Sequence, residues 1–289
     1  MTSVIVILNY NDSLHTIKLA EQIRSYSCFQ KIILVDNCST DHSFQELQKM
    51  SSDKIEVIKT NQNGGYAKGN NFGIQHAIKI FNPDYIFVAN PDIFIKESTC
   101  FSIMNVLASD SSLGVMTAMV NQGYNIWNLP DFLGVIESLF LIWFTLDKKR
   151  IKKKLLLSKN KYEQVGVVEG SLFCITQFAY RQIGGLDERT FLYGEEIMLS
   201  YRLNKVGLKV GVLPHETYDH FHSVSIKKEY KSSKAKAFHH FKHSFELYNK
   251  EYLHTSSFQN IVFRIAYFFA YLERKLYDLI NNLKGIFFH

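Results

Sequence analysis

The first 120 residues alternate short apolar runs with segments of helical periodicity. The apolar runs are rich in β-branched residues and predict five strands: Val4 to Leu8, Lys31 to Val35, Ile55 to Lys59, Tyr85 to Ala89 and Gly114 to Val120. The segments between them predict helices near Ser13 to Ser25, Ser43 to Met50, Ala67 to Ile80 and Glu97 to Ala108. Strands that are apolar throughout are buried on both faces. The alternation therefore predicts an α/β fold, with a mostly parallel sheet flanked by helices.

Four polar clusters follow the first four predicted strands. They are Asn9-Tyr10-Asn11, Asp36-Asn37, Asn63-Gly64-Gly65 and Asn90-Pro91-Asp92. Parallel sheets of this kind bind ligands beyond the carboxyl ends of their strands. Four loops that bring carboxylates, amides and glycines to one edge therefore predict a nucleotide-sized site. Each cluster alone is equally compatible with a turn, because Asn, Asp, Gly and Pro are common turn residues.

The alternation is interrupted between residues 121 and 163. An aromatic and leucine-rich run, 132–146, is followed there by a basic run, 148–154. The apolar run contains Glu137 and has about 15 residues, which is shorter than the roughly 20 residues that a membrane-spanning helix needs. We therefore expect no spanning helix in this segment.

The last 125 residues or so begin with a return to strand-like patterning at Val165 to Thr176 and again at Leu208 to Leu213, with a helix predicted over Glu195 to Val206. A histidine-rich segment extends to about residue 243, and a helical tail follows. Apolar side chains of the tail form one stripe, outside which Arg274 falls; they are Phe258, Ile261, Val262, Ile265, Phe269, Leu272, Leu276 and Leu279.

Composition excludes several classes of protein. Of the 289 residues, 46% are hydrophobic and only 4 are proline, which excludes disordered and collagen-like chains. The net charge of +6 is a mild excess concentrated in residues 148–154, and we expect no nucleic-acid partner. The 4 cysteines show neither metal-ligand spacing nor the density of a disulfide scaffold. Together with an N-terminus that lacks a basic region, this predicts a cytoplasmic location without a signal peptide.

Three groups of residues are candidates for chemistry. Asp92 closes a predicted strand, where a carboxylate can hold a divalent cation whose other ligands are water and phosphate oxygens. Glu195 and Glu196 open a predicted helix, where favourable interaction with the helix N-terminus is the simpler explanation. His220 and His222 would point the same way along a strand and can complete a metal site or contact a diphosphate. A solvated loop would also explain the two histidines.

Two familiar nucleotide-binding motifs are absent from the sequence. Residues 64–69 lack the G-x-G-x-x-G spacing of the Rossmann fingerprint and follow the third predicted strand instead of the first. A Walker A motif is also missing. The sequence thus predicts a metal-compatible nucleotide site that is neither a dehydrogenase site nor a P-loop.

The motifs, taken together and in order, resemble glycosyltransferase family 2, especially its bacterial rhamnosyltransferase-like members. The resemblance spans about residues 3 to 226 and rests on Asn9-Tyr10-Asn11, Val35 to Asp41, Asn63 to Asn71, Asn90-Pro91-Asp92, Gly184 to Glu188, Gly194-Glu195-Glu196, and His220 with Ser225. It implies the A-type glycosyltransferase fold. It also implies an inverting enzyme that transfers a sugar from a UDP- or dTDP-sugar to a saccharide acceptor.

The resemblance implies a role for each matching residue. Asp36 would hydrogen-bond the pyrimidine base, and Gly65 and Asn71 would lie near the ribose and diphosphate. The complete nucleotide-binding set would be Asn9, Tyr10, Asn11, Asp36, Asn37, Gly65, Asn71 and Asn90. Asp92 would bind Mg²⁺ or Mn²⁺, with His220 and His222 completing the contacts to metal or diphosphate. Glu196 falls where the family has its catalytic base, with Glu195 beside it.

The sequence departs from the family pattern at two of these positions. Asn90 stands where many members have the first carboxylate of a D-x-D motif, which predicts weaker metal binding. Glu196 replaces the usual Asp and carries its carboxylate one methylene further out, so that Glu195 is an alternative base.

The resemblance also implies a division of the chain. Residues 1–226 would form the catalytic domain, with a donor half (1–120), an insertion (121–163) and an acceptor and catalytic half (164–226). Residues 227–289 would form a helical C-terminal region. The basic run and the amphipathic tail can lie on an anionic membrane surface, which suits a lipid-linked acceptor at the inner face of the membrane in bacterial surface polysaccharide synthesis. An ordinary packed appendage or a dimer interface is the alternative.

Two other functions fit parts of the sequence. A sugar-nucleotide nucleotidyltransferase also combines an α/β sheet, a metal and carboxylates, but it would need a Gly-rich, basic loop after the first strand. Residues 9–14 contain neither Gly nor a basic residue. A non-catalytic sugar-nucleotide-binding subunit is the other alternative, against which the presence of Asp92, Glu195 and Glu196 argues.

Overall fold

The computed structural model describes residues 1–221 and 234–287. Its strands are β1 (Ser3–Asn9), β2 (Lys31–Asp36), β3 (Ile55–Lys59), β4 (Tyr85–Ala89), β5 (Ile93–Ile95), β6 (Leu113–Val120), β7 (Ile126–Trp127), β8 (Glu163–Val165), β9 (Val167–Val168), β10 (Leu172–Thr176) and β11 (Lys209–His220). Its helices are α1 (Ser13–Ile23), α2 (Ser43–Gln48), α3 (Gly65–Phe81), α4 (Glu97–Ser109), α5 (Phe132–Leu139), α6 (Leu141–Leu156), α7 (Gln177–Ile183), α8 (Glu195–Lys205), α9 (Lys234–Glu251) and α10 (Ser257–Phe287).

A nine-stranded sheet forms the centre of the described chain. The order of its strands is β3-β2-β1-β4-β10-β6-β11-β5, and β8 pairs with β11 as well. β1, β2, β3, β4, β6 and β11 run in one direction, whereas β5, β8 and β10 run against them. The mostly parallel sheet predicted from the sequence is therefore confirmed.

Helices cover both faces of this sheet, which explains why its strands are apolar throughout. Ile5 and Ile7 of β1 pack with α1, α2 and α4, while Val4 and Val6 face the other side and pack with α3, α7 and α8. Close packing of α3 on β1 depends on Gly73, because a Cβ there would lie 2.5 Å from Cγ1 of Val6. This packing fixes the carboxyl end of β1 relative to the start of α3.

Two elements differ from the sequence prediction. The segment 165–176 is divided among β8, β9 and β10, because the chain turns at Gly166 and again at residues 169–171. β11 continues well beyond the predicted end at Leu213. A shift in register between Leu213 and Thr217 allows its second half to pair with β5. This pairing places His220 opposite Ile93, directly beside Asp92.

The helices of residues 121–163 and of the C-terminal region pack together. Helices α5, α8, α9 and α10 share one apolar cluster, formed by Val135, Leu139, Ile197, Met198, Phe238, Phe245, Tyr248, Tyr252, Phe263 and Ala270, among others. The predicted C-terminal helices are present, and α9 already begins at Lys234, within the histidine-rich segment. Because α8 carries Glu195 and Glu196, the C-terminal helices support the start of that helix. The domain boundary at residue 226 stays a prediction.

The packed face of α10 is not the apolar stripe seen in the sequence. Phe263, Ala270 and Arg274 are buried, although the pattern places Arg274 outside the apolar face. The Arg274 guanidinium donates to the Leu139 carbonyl at 2.5 Å and lies 3.5 Å from the ring centroid of Phe238. Within the described ranges, no helix is long and apolar enough to cross a bilayer, in agreement with the sequence prediction for residues 132–146.

Asp187 joins the loop before α8 to the C-terminal helices. Its buried carboxylate accepts hydrogen bonds from Arg189 Nη2 at 2.7 Å, Arg202 Nη2 at 3.1 Å and the Tyr252 hydroxyl at 2.5 Å. Burial alone would raise the pKa of Asp187, but the hydrogen bonds from Arg189 and Tyr252 outweigh it and hold the pKa well below its usual value.

We expect Asp187→Asn to lower the free energy of unfolding by about 2–3 kcal/mol at pH 7, because a buried charge-assisted hydrogen-bond network loses its anion. The folded-state pKa lies below the unfolded one, so wild type loses this stabilisation as the pH falls below about 4. The difference between the two proteins should shrink accordingly. Urea unfolding at pH 7 and pH 3 measures both effects.

Glu251→Gln removes an exposed ion pair of Arg189 and is the control, with an expected loss under about 1 kcal/mol. Equal losses in the two variants would contradict a special role for the buried network.

Candidate active site

A cavity of about 1330 Å³ lies beyond the carboxyl ends of the central strands. Loops after β1, β2 and β4 form one wall, and α5, α6 and the start of α8 form the other. The predicted site residues that line it are Tyr10, Asn37, Gly65, Asn90, Asp92, Glu195, Glu196 and His220. Asn9, Asn11, Asp36 and Asn71 do not line it, and His222 lies outside the described residues.

Asn9 and Asp36 are fully buried beneath the cavity wall. Asn9 Nδ2 donates to the Asp36 carboxylate at 3.0 Å and to the Ser39 hydroxyl at 3.1 Å. The Ser39 N–H donates to the other Asp36 oxygen at 3.0 Å. Asn11 accepts a hydrogen bond from the Thr40 N–H at 2.8 Å. These contacts join the loops after β1 and β2, and the expected contact between Asp36 and a base stays a prediction.

Asn71 connects α3 to the loop that precedes α8. Its Nδ2 donates to the Leu186 carbonyl at 2.9 Å and to Glu188 at 2.8 Å. Its Oδ1 accepts from the Tyr180 hydroxyl and from the Leu186 N–H, both at 2.9 Å. The side-chain amide thus makes four hydrogen bonds inside the protein, which favours a structural role over the expected contact with ribose or diphosphate.

Gly65 lies where the donor side of the cavity meets the loop before α8. Asn37 Nδ2 donates to Asn63 Oδ1 at 2.9 Å and to the Gly65 carbonyl at 3.1 Å. The neighbouring Tyr66 N–H donates to the Phe191 carbonyl at 2.9 Å. Gly65 has a φ of +87°, and a Cβ there would lie 2.1 Å from that same carbonyl oxygen. Glycine is required here both by conformation and by space.

Asp92, His220 and Glu169 form a charged group on the cavity wall. Nε2 of His220 lies 3.4 Å from Asp92 Oδ2, and its Nδ1 lies 3.7 Å from Glu169 Oε2. The Ser171 hydroxyl donates to Glu169 at 3.0 Å. The pairing of β11 with β5 positions His220, whereas Asp92 follows β4 and Glu169 precedes β10. Three separate parts of the chain therefore meet at this point.

The two neighbouring carboxylates favour the protonated form of the His220 imidazole. Burial lowers its pKa, but the carboxylates of Asp92 and Glu169 outweigh burial and raise it to about 9. Burial likewise tends to raise the pKa of Glu169, whereas the hydrogen bond and charge of His220 lower it below the usual value. One imidazolium between two carboxylates leaves a net negative charge in this part of the cavity.

The protein side chains of this group would supply only part of the coordination shell of a divalent cation. In the described part of the chain, no three or more His, Cys, Asp or Glu side chains form a ready-made metal cluster. A magnesium ion commonly takes only one or two protein carboxylates and completes its shell with water and substrate phosphates. Asp92 fits such a site. His220 beside it can contact a phosphate as an imidazolium, and it would have to lose its proton to ligate a metal.

Glu195 and Glu196 open α8 on the opposite wall. Glu196 is partly exposed to the cavity, and its Oε1 accepts a hydrogen bond from the Gly170 N–H at 3.3 Å. Glu195 is buried, and its Oε2 has no hydrogen-bond partner among the described residues. The Tyr66 hydroxyl lies nearby and donates to the Gly170 carbonyl at 2.5 Å. Of the two carboxylates, Glu196 is the one that a cavity ligand can reach more readily.

Both glutamates have a raised pKa. Burial raises the pKa of Glu195 well above its usual value, and the charge of Glu196 adds to this effect. Burial also raises the pKa of Glu196, but the backbone N–H groups at Glu196 and Gly170 and the cation of Lys148 oppose the change. A carboxylate with a raised pKa is a stronger base, as proton abstraction requires.

The fold and these residues agree with comparisons to known proteins. The family model described as glycosyl transferase family 2 matches residues 4–183, which is more than half of the chain. The chain belongs to this family. The resemblance seen in the sequence is therefore confirmed, whereas the residue roles it implies are not tested by this match.

Curated relatives of the chain are named as glycosyltransferases. The chain is 26% identical over 208 residues to the low-salt glycan biosynthesis hexosyltransferase Agl10 of Haloferax volcanii, covering 72% of this chain but only 63% of that protein. It is 24% identical over 204 residues to the N-acetylglucosaminyl-diphospho-decaprenol L-rhamnosyltransferase of Mycobacterium tuberculosis, covering 65% of this chain and 66% of that protein.

Solved structures of other glycosyltransferases share the fold. The mannosyltransferase PcManGT of Pyrobaculum calidifontis, in complex with GDP-Man and Mn²⁺, is 14% identical with a TM-score of 0.58, over 94% of this chain and 73% of that one. GalNAc-T7, solved with UDP, GalNAc and Mn²⁺, is 16% identical with a TM-score of 0.60, over 78% of this chain and 44% of that one. The A-type glycosyltransferase fold predicted from the sequence is thus confirmed.

Glu169 and Lys148 belong to the cavity of this family 2 protein, although the sequence motifs do not reveal them. The Lys148 ammonium lies 4.5 Å from the ring centroid of Trp127 and 4.0 Å from that of Phe144. Burial lowers its pKa to about 8, although the charges of Glu169 and Glu196 oppose the change. The sequence groups Lys148 with a basic run on a membrane surface, but the structure turns this lysine inward. The spacing of Phe144, Lys148, Ile151 and Leu155 marks the inward face of α6 and is the signal that could have identified it.

Proposed function

We propose that the protein is an inverting, metal-dependent glycosyltransferase that moves a sugar from a UDP- or dTDP-sugar to a saccharide acceptor. The observation that carries the proposal is that Asp92 and Glu196 line the same cavity of about 1330 Å³, which Tyr10, Asn37 and Gly65 of the strand-end loops line as well. Inverting transfer needs a base on one face of the sugar and a stabilised diphosphate on the other.

Glu196 is the proposed base that takes the proton of the acceptor hydroxyl, with Glu195 as the alternative. Its hydrogen bond from the Gly170 N–H orients the carboxylate, and its raised pKa strengthens it as a base. The hydroxyl oxygen then attacks the anomeric carbon, and the nucleoside diphosphate leaves from the opposite face. No covalent nucleophile is needed, and no Ser/His/Asp or Cys/His set stands out in the sequence.

Asp92 is proposed to hold Mg²⁺ or Mn²⁺, and His220 is proposed to contact the diphosphate. A divalent cation bound there would neutralise the negative charge that develops on the leaving group. The protein residues around it have separate tasks: His220 offers a positive charge to phosphate oxygens, and Asn37 and Gly65 shape the floor of the nucleotide-binding side. Lys148 supplies a second positive charge near the same cavity.

The acceptor is proposed to be a lipid-linked saccharide in the synthesis of a bacterial surface polysaccharide, at the inner face of the cell membrane. The relative from Mycobacterium tuberculosis, by its name, acts on a diphospho-decaprenol-linked sugar, and this supports the acceptor class. A nucleotidyltransferase is less well supported, because residues 9–14 lack the Gly-rich basic loop that it would need.

We expect Gly65→Ala to weaken UDP binding at least tenfold, because the new methyl group separates the Asn37–Gly65 loop from Phe191. Titration calorimetry with UDP and Mn²⁺ measures the effect. Gly184→Ala is a matched control, since Gly184 also has a positive φ, +72°, but nothing lies within 4 Å of its Cβ position. The control should cost about 1 kcal/mol of stability and leave UDP affinity unchanged. An equal loss of UDP affinity in both variants would show that backbone strain alone, and not the contact with Phe191, is the cause.

A screen of sugar nucleotides with Mg²⁺ or Mn²⁺ tests the proposed function directly. Release of free nucleoside diphosphate that depends on an added saccharide acceptor is the expected result. Release of pyrophosphate from a nucleoside triphosphate and a sugar phosphate would instead indicate nucleotidyl transfer. Nucleotide-sugar binding without turnover of any donor would favour the non-catalytic subunit.

A further inference from the structure

Helix α10 has two apolar faces, and only one of them is covered. Phe263 and Ala270 pack against the rest of the protein, whereas the stripe on the opposite side is exposed. Ile265, Phe269 and Leu276 are 53%, 56% and 58% exposed, and the other large apolar side chains of the exposed stripe are Phe258, Ile261, Phe268, Leu272, Leu279 and Ile280. Contiguous apolar surfaces of this length mark interaction sites.

Helix α6 presents a second exposed apolar group beside a basic one. Ile142, Trp143 and Leu146 in its first half are 65%, 61% and 54% exposed. Lys149, Arg150, Lys153 and Lys154 in its second half are exposed and share the same outward side of the helix. In a helix that lies in a membrane interface, Trp, Phe and Leu side chains enter the acyl boundary while Lys and Arg side chains contact the headgroups.

The two helices form one surface at the cavity. The Leu141 N–H at the start of α6 donates to Glu273 of α10 at 2.9 Å, so the exposed groups of the two helices are neighbours. Trp143, Leu146 and Arg150 also line the cavity. On α10, Arg264 and Lys275 are exposed along one edge of the apolar stripe, where their side chains can extend toward charged headgroups.

We propose that this surface, formed by the outward faces of α6 and α10, docks the protein on a bilayer that contains anionic lipids and brings the cavity to the membrane surface. Charge complementarity favours this occupant, because the exposed part of α6 carries four basic residues and one acidic residue, Asp147. The inference rests on the proposed function in one respect only: a lipid-linked acceptor is the reason why the cavity would need to reach the membrane.

Flotation of the full chain with vesicles tests the proposal without any measurement of activity. We expect binding to vesicles of phosphatidylglycerol and phosphatidylcholine, and weak binding to phosphatidylcholine alone. The triple variant Ile265→Gln, Phe269→Gln, Leu276→Gln should bind at least tenfold more weakly. Lys149→Gln, Lys153→Gln and Lys154→Gln should each weaken binding by roughly fivefold, and salt should reproduce only the lysine effect.

A matched control replaces apolar side chains of similar exposure on other helices, with Leu14→Gln, Ile80→Gln and Phe178→Gln. Their exposed fractions are 75%, 54% and 61%, and binding should be unchanged. Point variants are preferable to deletion of α10, because deletion would also uncover the packed cluster at Phe263. Unaltered thermal melting of each variant shows that it is folded.

Three results would overturn the proposal: failure of the intact chain to float with anionic vesicles, wild-type binding by the α10 triple variant, or equal loss of binding in the Leu14, Ile80 and Phe178 control. A dimer in light scattering that the α10 triple variant dissociates would also overturn the proposal, because a second copy of the chain would then cover the stripe. Because UDP binding and sugar transfer to a soluble acceptor are measured separately, failure of docking and failure of the proposed enzyme activity are distinguishable.

Discussion

Glu196→Gln should lower the turnover of sugar transfer by a factor of at least about 100, while donor affinity stays nearly unchanged. The amide has the same shape as the carboxylate, and its oxygen can still accept the hydrogen bond from the Gly170 N–H. It cannot accept the proton of an acceptor hydroxyl. Steady-state kinetics with a soluble saccharide acceptor and calorimetry with UDP separate the two effects.

Glu195→Gln is the matched control for this assignment, because the two carboxylates are adjacent on α8. Glu195 is buried with a pKa well above its usual value, so its amide should have a smaller effect on turnover. If Glu195→Gln proves the more damaging change, the base is Glu195 and the extra methylene of Glu196 has displaced its carboxylate from the reacting hydroxyl.

The pH dependence of the same reaction provides a second readout. A general base must be deprotonated to act, so the rate should fall as the pH falls through the pKa of Glu196. Burial raises that pKa above its ordinary value of 4.5, so the loss should begin at a higher pH than for an exposed glutamate. In Glu196→Gln, the residual rate should lack this acidic limb. A residual rate with the same limb would assign the limb to another group.

The sheet could be predicted from the sequence because its signals are local. The apolar runs of β1, β2 and β4 are short and bounded by turn residues, and burial on both faces requires them to be apolar throughout. The same logic placed Asn90 and Asp92 at one edge together with Tyr10 and Asn37. The parallel alignment of strand ends made these distant positions neighbours.

Contacts that depend on tertiary packing could not be predicted in the same way. Asn71 lies in a family motif, yet its amide is used to hold the loop at Leu186. Arg274 looks like a surface residue of an amphipathic helix, but it is buried against Phe238 and the Leu139 carbonyl. In both cases the polar group forms hydrogen bonds with a partner that is distant in sequence. The pattern of apolar and polar positions along the chain does not indicate such a partner.

The proposed metal site depends both on local sequence signals and on contacts that arise only from tertiary packing. Asp92 could be found because it closes a strand, and His220 because it is part of a family motif. Glu169 was missed, since its position beside His220 depends on the division of residues 165–176 into separate strands. Two of the three charged side chains that meet there are thus predictable from the sequence, and the third changes the expected effect of removing either of the others.

Asp92→Ala should abolish the divalent-metal dependence of donor binding, because Asp92 is the proposed carboxylate ligand in its strand-end loop. The variant also leaves the His220 imidazolium paired with Glu169 alone, so the pKa of His220 should fall from about 9 toward its ordinary value. Calorimetry of UDP and dTDP with and without Mn²⁺ measures the first effect, and NMR titration of His220 measures the second.

Glu169→Gln is the control that separates metal binding from the balance of charge around His220. It also removes one carboxylate from the imidazole, and so it should lower the pKa of His220 in the same direction. It should nevertheless preserve most of the metal dependence, because the Asp92 carboxylate, the proposed metal ligand, is retained. Metal dependence that persists in Asp92→Ala but disappears in Glu169→Gln would move the metal ligand to Glu169. The cation would then lie on the side of the cavity that Lys148 and Glu196 share.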